Sequence, residues 1–157
     1  MPGKVILTLD IATVTGWAVS QPGRNGPLYG SHRMVSGTIG DDLGRALAAF
    51  RDWLTDMLAI HNPDEIWFEA PVPTTNRSIA TMRLLMAYPA FAEELAYRRN
   101  TPIFEAHSGT IRKAVLGSGR AQKPDVLRWA ALRGHSPHDD NAADALLLLA
   151  YADGGAV

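Results

Sequence analysis

The chain has 157 residues, is 46% apolar and 20% charged, and carries a net charge of −1 with no cysteine. That size and balance fit one soluble globular unit, residues 1–157, with its own hydrophobic core. They exclude disulfides and thiolate metal sites, fit a reducing, cytoplasmic compartment, and leave no apolar run of about 18 residues to cross a membrane.

The N-terminal "MPGKVILTLD" does not read as a signal peptide, because its apolar stretch is short and no small-residue cleavage pattern follows. Residues 4–10 (KVILTLD) predict a buried strand and residues 16–20 (GWAVS) a second, joined as a hairpin by a five-residue turn. Residues 21–27 (QPGRNGP) are dense in turn formers and predict a loop. Residues 28–39 predict a third strand, so three consecutive antiparallel strands are expected. Residues 41–61 carry the clearest helical pattern: Leu43, Leu47, Phe50, Leu54 and Met57 line one face. Asp41 and Asp42 stand at its start, where the helix dipole favours anions.

"NPDE" at 62–65 stops that helix, and residues 65–69 (EIWFE) predict a short strand that again ends in an acid. "APVPTTN" is a loop. Residues 77–100 predict a second long helix, kinked or broken at Pro89. A fifth strand at 101–104 follows, then a short helix at 110–116 with Ser108 as its N-cap, and a Gly-rich basic loop at 117–124. Residues 125–133 and the very apolar 142–153 complete the helices. Strands and helices in this order predict one mixed sheet with helices on its faces.

Charge is unevenly spread. Residues 98–133 hold eight Lys or Arg against two acids, whereas residues 134–157 hold four acids and no Lys or Arg. The basic segment suits a phosphate backbone, although solvated helix faces carry charge as well.

Asp10 and Glu69 each close an apolar strand and open a loop. Placed side by side in a sheet, the two carboxylates repel unless a cation or proton is shared between them. A third acidic group lies in "HDDNAAD" (138–144), where Asp140 and Asp144, four apart, share a helix face, as do Asn141 and Asp144, three apart. Asp139 or Asp140 equally suits a helix cap, and Asp10 taken alone suits a turn. Asp144 lies too far inside the helix to cap it, and glutamate is no turn former. Oxygen ligands of this kind take Mg²⁺ or Mn²⁺, and carboxylates from several elements can hold two ions about 4 Å apart. One ion activates water and the other stabilises the leaving oxygen, which is phosphodiester hydrolysis.

"LTLDIATVTGWAV", "EIWFEAP", "IRKAVLGSGRAQKPDV" and "NAADALLLLAY", in that order, resemble the motifs of RuvC-type Holliday junction resolvases, in the RNase H-like superfamily. Ile111, Val115, Gly117, Gly119, Ala121, Lys123 and Val126 match the most specific of these segments. The resemblance implies an α/β, RNase H-like fold with a central mixed five-stranded sheet flanked by helices. It also implies a homodimer that nicks branched DNA, four-way junctions above all, with two Mg²⁺ (or Mn²⁺) ions per site. Asp10, Glu69 and Asp144 take the positions of catalytic, metal-binding acids, and Lys123 that of a basic residue near the scissile phosphate. On this reading Asp10 bridges both ions, Glu69 holds one, and Asp140 and Asp144 hold the other.

Two positions depart from the pattern. The family's fourth acid often lies three residues before the last, where this chain has Asn141. Asp140 is the better candidate ligand, with Asp139 the alternative. An aromatic usually follows the glutamate by three residues, where this chain has Val72. The compact chain and this loop fit a phage or prophage version at least as well as a host enzyme.

Arg77, Arg112, Lys113, Arg120 and Lys123 are the candidate DNA contacts, with Arg83 beside them. His107 and His138 are weaker candidates for assisting water or phosphate. The Gly117–Gly119 backbone suits either a phosphate cradle or a plain loop. Trp17, Trp53, Trp67 and Trp129 suit core or subunit-interface positions, and Phe91 and Tyr97 a partner-facing surface. The competing functions are a non-catalytic DNA-junction binder or scaffold with a degraded site, which Asn141 favours, and half of a sugar-kinase-like ATPase, which "DIATVTG" loosely suggests.

Overall fold

The computed structural model describes residues 3–36, 42–74 and 76–155. Five strands form one sheet: β1 (Ile6–Asp10), β2 (Val14–Val19), β3 (Leu28–Arg33), β4 (Glu65–Glu69) and β5 (Ile103–Ala106), in the order β3-β2-β1-β4-β5. β1, β2 and β3 are antiparallel neighbours, whereas β4 runs parallel to β1 and β5 parallel to β4. Five helices accompany it: α1 (Leu43–His61), α2 (Ile79–Arg98), α3 (Ser108–Leu116), α4 (Lys123–Leu132) and α5 (Asp140–Ala152). The mixed five-stranded sheet flanked by helices is thus the architecture expected.

Strand periodicity divides the core in two. Leu7 and Leu9 of β1, with Ile66 and Phe68 of β4, face α1 and α2, where Phe50 and Tyr88 stack with ring centroids 4.4 Å apart. The alternate residues face α5: Ile6 and Ala18 are buried with Val126, Trp129 and the run Leu146–Ala150. Trp17 and Trp53 pack against the first core and Trp67 against the second, so the tryptophans are packing residues.

α5 is held to the sheet by a polar pin and a missing side chain. Thr8, fully buried, donates its hydroxyl to the Ala145 carbonyl at 2.7 Å. At Gly16 a Cβ would lie 1.8 Å from the Asn141 carbonyl oxygen, so the helix backbone rests directly on the strand. The N-cap of α5 is Asp139, which accepts from the Ala142 N–H at 2.8 Å and from the Ser31 hydroxyl.

Several boundaries differ from expectation. α2 runs unbroken through Pro89, because Leu84, Tyr88, Ala92 and Ala96 are buried on both sides of it and their packing outweighs the lost hydrogen bond. β5 lies two residues later than expected. Ser108 is the first residue of α3 and His107 occupies the cap position without a side-chain cap bond. α4 starts at Lys123, with Pro124 in its first turn and a capping box between Gln122 and Asp125. β3 ends at Arg33 and residues 34–36 form a bend, so the third strand is shorter than expected; its expected reach over residues 37–39, and the helix start at Asp41, lie outside the described residues.

Gly16→Ala should destabilise the protein by about 3 kcal/mol or more, since the methyl must displace helix backbone rather than a side chain. Thr8→Val, similar in shape but without the hydroxyl, should cost about 1 kcal/mol. Urea denaturation of both variants measures this, and a Gly16→Ala protein as stable as wild type would contradict the close packing.

Candidate functional site

Parallel pairing sets Leu9 opposite Phe68, so the next residues, Asp10 and Glu69, end adjacent strands on the same side of the sheet. Both belong to the strand register that faces α5. Asp144, one turn into α5, faces back toward them. All three acids line one cleft of about 260 Å³, together with Ala12, Val72, Arg77, Lys123 and Asn141.

Crowding these acids in a partly dry cleft disfavours their ionised forms. Asp10 is held well above the usual carboxylate range, by burial first and then by the charges of Glu69 and Asp144. Burial also raises Glu69, with Asp144 adding to it and Arg112 and the Ser108 hydroxyl opposing. Asp144 is raised by burial as well, against the pull of Arg112 and Lys123. Asp139 behaves differently. Burial pushes it up, but the hydrogen bonds from Ser31 and the Ala142 N–H outweigh that and hold it below the usual range. A helix cap satisfied in this way is doing structural work.

The cations are arranged in two ways. Arg112 is partly buried, donates to the Ala121 carbonyl at 2.8 Å and lies 3.8 Å from Asp144. Its guanidinium therefore braces the loop after α3 against the acids, a contact that the expectation of a DNA-facing arginine did not include. Lys123 reaches the cleft from the first residue of α4 and pairs with Asp140 at 2.9 Å. Arg77 is exposed and lines the cleft, whereas Lys113, Arg120 and Arg83 are exposed away from it.

Asp140 is not among the residues that line the cleft, and its neighbour Asn141 is. Asp140 is engaged instead by Lys123, and the Asn141 backbone carbonyl rests against Gly16. His138 lies 3.1 Å from the Ser31 hydroxyl, and neither it nor His107 lines the cleft. Gly117 ends α3 in a left-handed cap, and Gly119 passes close to the Gly109 carbonyl, so both glycines have packing reasons. Phe91 is partly covered by the Arg51 guanidinium, and Tyr97 is exposed.

Sequence reasoning missed Gly16, Thr8 and Ser31, none of which carries chemistry of its own. A glycine and a threonine inside buried strands were the available signals. The donors in the cleft are all oxygen, the kind that hard divalent cations take. Among the described residues no three acid or histidine side chains stand close enough to enclose an ion as placed.

A mixed sheet with acids at the ends of its first and fourth strands, met by an acid from the last helix, is the arrangement of an RNase H-like fold. The chain is 32% identical to the crossover junction endodeoxyribonuclease RuvC of Agrobacterium fabrum, over 85% of this chain and 79% of that one. It is 31% identical to RuvC of Shewanella oneidensis, over 90% of this chain and 82% of that one. The chain belongs to the RuvC family. Its fold matches Thermus thermophilus RuvC in complex with a Holliday junction substrate, with a TM-score of 0.76, 17% identity, and 98% and 97% of the two chains covered. The yeast mitochondrial Holliday junction resolvase shares the fold at a TM-score of 0.60 and 14% identity, covering 99% of this chain and 71% of that one. No family model matches the chain.

Because Asp10 holds its proton more tightly folded than unfolded, stability falls as pH rises from the unfolded value of about 4 toward the folded one. Asp10→Asn removes that cost. In metal-free buffer at pH 7 the variant should melt a few degrees above wild type, and the gap should close as pH falls toward 4. Thermal unfolding followed by circular dichroism across this range is the measurement, and a variant that melts lower at pH 7 refutes the electrostatic account.

Proposed function

We propose that this protein is a metal-dependent endodeoxyribonuclease that resolves four-way DNA junctions by phosphodiester hydrolysis. The observation that carries the reading is the convergence of Asp10, Glu69 and Asp144, from three separate elements, in one cleft that Lys123 also lines. The names of the RuvC relatives support it.

Burial of mutually repelling carboxylates suits a site completed by Mg²⁺ or Mn²⁺. Asp10, Glu69 and Asp144 would hold the metal, and Asn141 offers an amide oxygen beside them. Bound there, such ions supply an activated water and charge neutralisation at the leaving oxygen. The chain's own residues do the remaining work. Lys123 binds a phosphate oxygen and offsets the negative charge that builds up on it. Arg77 extends the cationic border along the DNA backbone. Arg112 keeps the loop before α4, and with it Lys123, in register with Asp144.

Two copies acting on the two strands of a junction suit a homodimer. Ile79 and Met86, exposed on α2, are apolar surface for a second copy. Among the described residues no helix is long and apolar enough to cross a membrane, and the activity we propose belongs in the cytoplasm.

Wild-type protein should nick a synthetic four-way junction in Mg²⁺ and spare linear duplex. Asp10→Asn should lose nicking by about 10³-fold or more while binding the junction as tightly or more so, because one repelling charge is gone. Lys123→Ala should slow single-turnover cleavage about 10²-fold. An Asp10→Asn protein that cuts at the wild-type rate would sink the site assignment. A wild type that binds junctions without cutting them would leave a junction-binding scaffold.

A further inference from the structure

Lys123 and Asp140 open consecutive helices, and their side chains meet beside the acid-lined cleft. Nζ donates to Oδ2 at 2.9 Å, although the lysine is 64% and the aspartate 41% exposed. An ammonium on a four-carbon stem samples many rotamers, and holding it in one place costs entropy unless something binds it. Lys123 lines the cleft and Asp140 does not. Asp10 and Asp144 act on the lysine through space, yet the carboxylate it contacts is Asp140, outside the cleft. An isolated acid at this place would repel an incoming phosphodiester. Paired with Lys123 it is neutralised, and it draws the ammonium to the edge of the cleft.

We propose that Asp140 is a positioning residue for Lys123, parking its ammonium at the mouth of the cleft in the free protein and yielding it to a phosphate oxygen when DNA binds. The inference rests on the DNA-cleavage reading above and gives Asp140 a role other than metal ligand. The exchange trades one oxyanion for another at the same ammonium, so no proton moves and no bond is made. An exposed pair is weak enough to be exchanged in this way.

The chain has three lysines, Lys4, Lys113 and Lys123, so amine-reactive labelling read by mass spectrometry resolves each of them. Asp140→Asn should speed labelling of Lys123 about threefold or more while leaving the exposed Lys113 unchanged. Junction DNA should protect Lys123 in wild type and variant alike. At sub-saturating junction, Asp140→Asn should slow single-turnover cleavage about threefold, Asp140→Glu should restore most of the rate, and the difference should close as junction reaches saturation. In a Lys123→Ala background, Asp140→Asn should slow cleavage no further, and the Mg²⁺ concentration for half-maximal rate should not change.

Unchanged labelling of Lys123, effects of the two substitutions that multiply, or a raised Mg²⁺ requirement in Asp140→Asn would each overturn the proposal. The last result would make Asp140 a metal ligand after all. If wild type cuts no junction, the proposed activity fails and the exchange with it, while labelling still reports whether Asp140 holds the lysine.

Discussion

Helix α5 can lie against the sheet only because Gly16 has no side chain. That contact falls on one rung of the sheet. Asp10 pairs with Gly16, and Gly16 pairs with Ser31. Glu69 continues the rung on the other side of Asp10. Ser31 holds the N-cap of α5, Gly16 receives its backbone, and Asp10 and Glu69 meet the acid that its next turn delivers. One row of four residues thus anchors the helix and supplies two carboxylates of the cleft. The geometry of the site is inherited from sheet register and from a contact that admits no added atom.

That arrangement works against stability. Asp10, Glu69 and Asp144 are all less acidic than free carboxyls, and the two cations that oppose them are engaged elsewhere as well, Arg112 with the Ala121 carbonyl and Lys123 with Asp140. A protein selected for stability alone would replace such a cluster. The surrounding fold tolerates it because α5 is buried along nearly its whole length and pinned by Thr8. Strain of this kind is expected where binding a cation or substrate is the purpose.

The strand-ending acids were legible because apolar runs mark strands, and both Asp10 and Glu69 close theirs; 65–69 was read to the residue. Asp144 was legible from its depth inside an apolar helix. The choice between Asp140 and Asn141 was not. Both lie within reach of Asp144 on a helix, and only contacts between elements separate Asn141, which lines the cleft, from Asp140, which pairs with Lys123. The intramolecular contacts of Arg112, a candidate DNA contact by sequence, were not legible for the same reason: they lie nine residues along the chain and on another helix. Pro89 carried a correct local rule that buried neighbours on two sides overrode. Periodicity and motif spacing report local conformation, and what they left out here turned on contacts between elements.

The cleft has two kinds of wall. Asp10 and Glu69 end hydrogen-bonded neighbouring strands, so their backbones are set apart by the strand spacing common to all sheets, about 4.8 Å. Nothing short of unpairing β1 from β4 alters it. The opposite wall is made from the first turns of two helices and the loop that Arg112 braces, and their positions answer to side-chain contacts. Drift in sequence can therefore retune grip, reach and choice of DNA shape through residues 117–123 and 138–141, while the carboxylate pair stays as invariant as the sheet. Asn141 lies in that adjustable wall, and Lys123 joins it from the preceding helix.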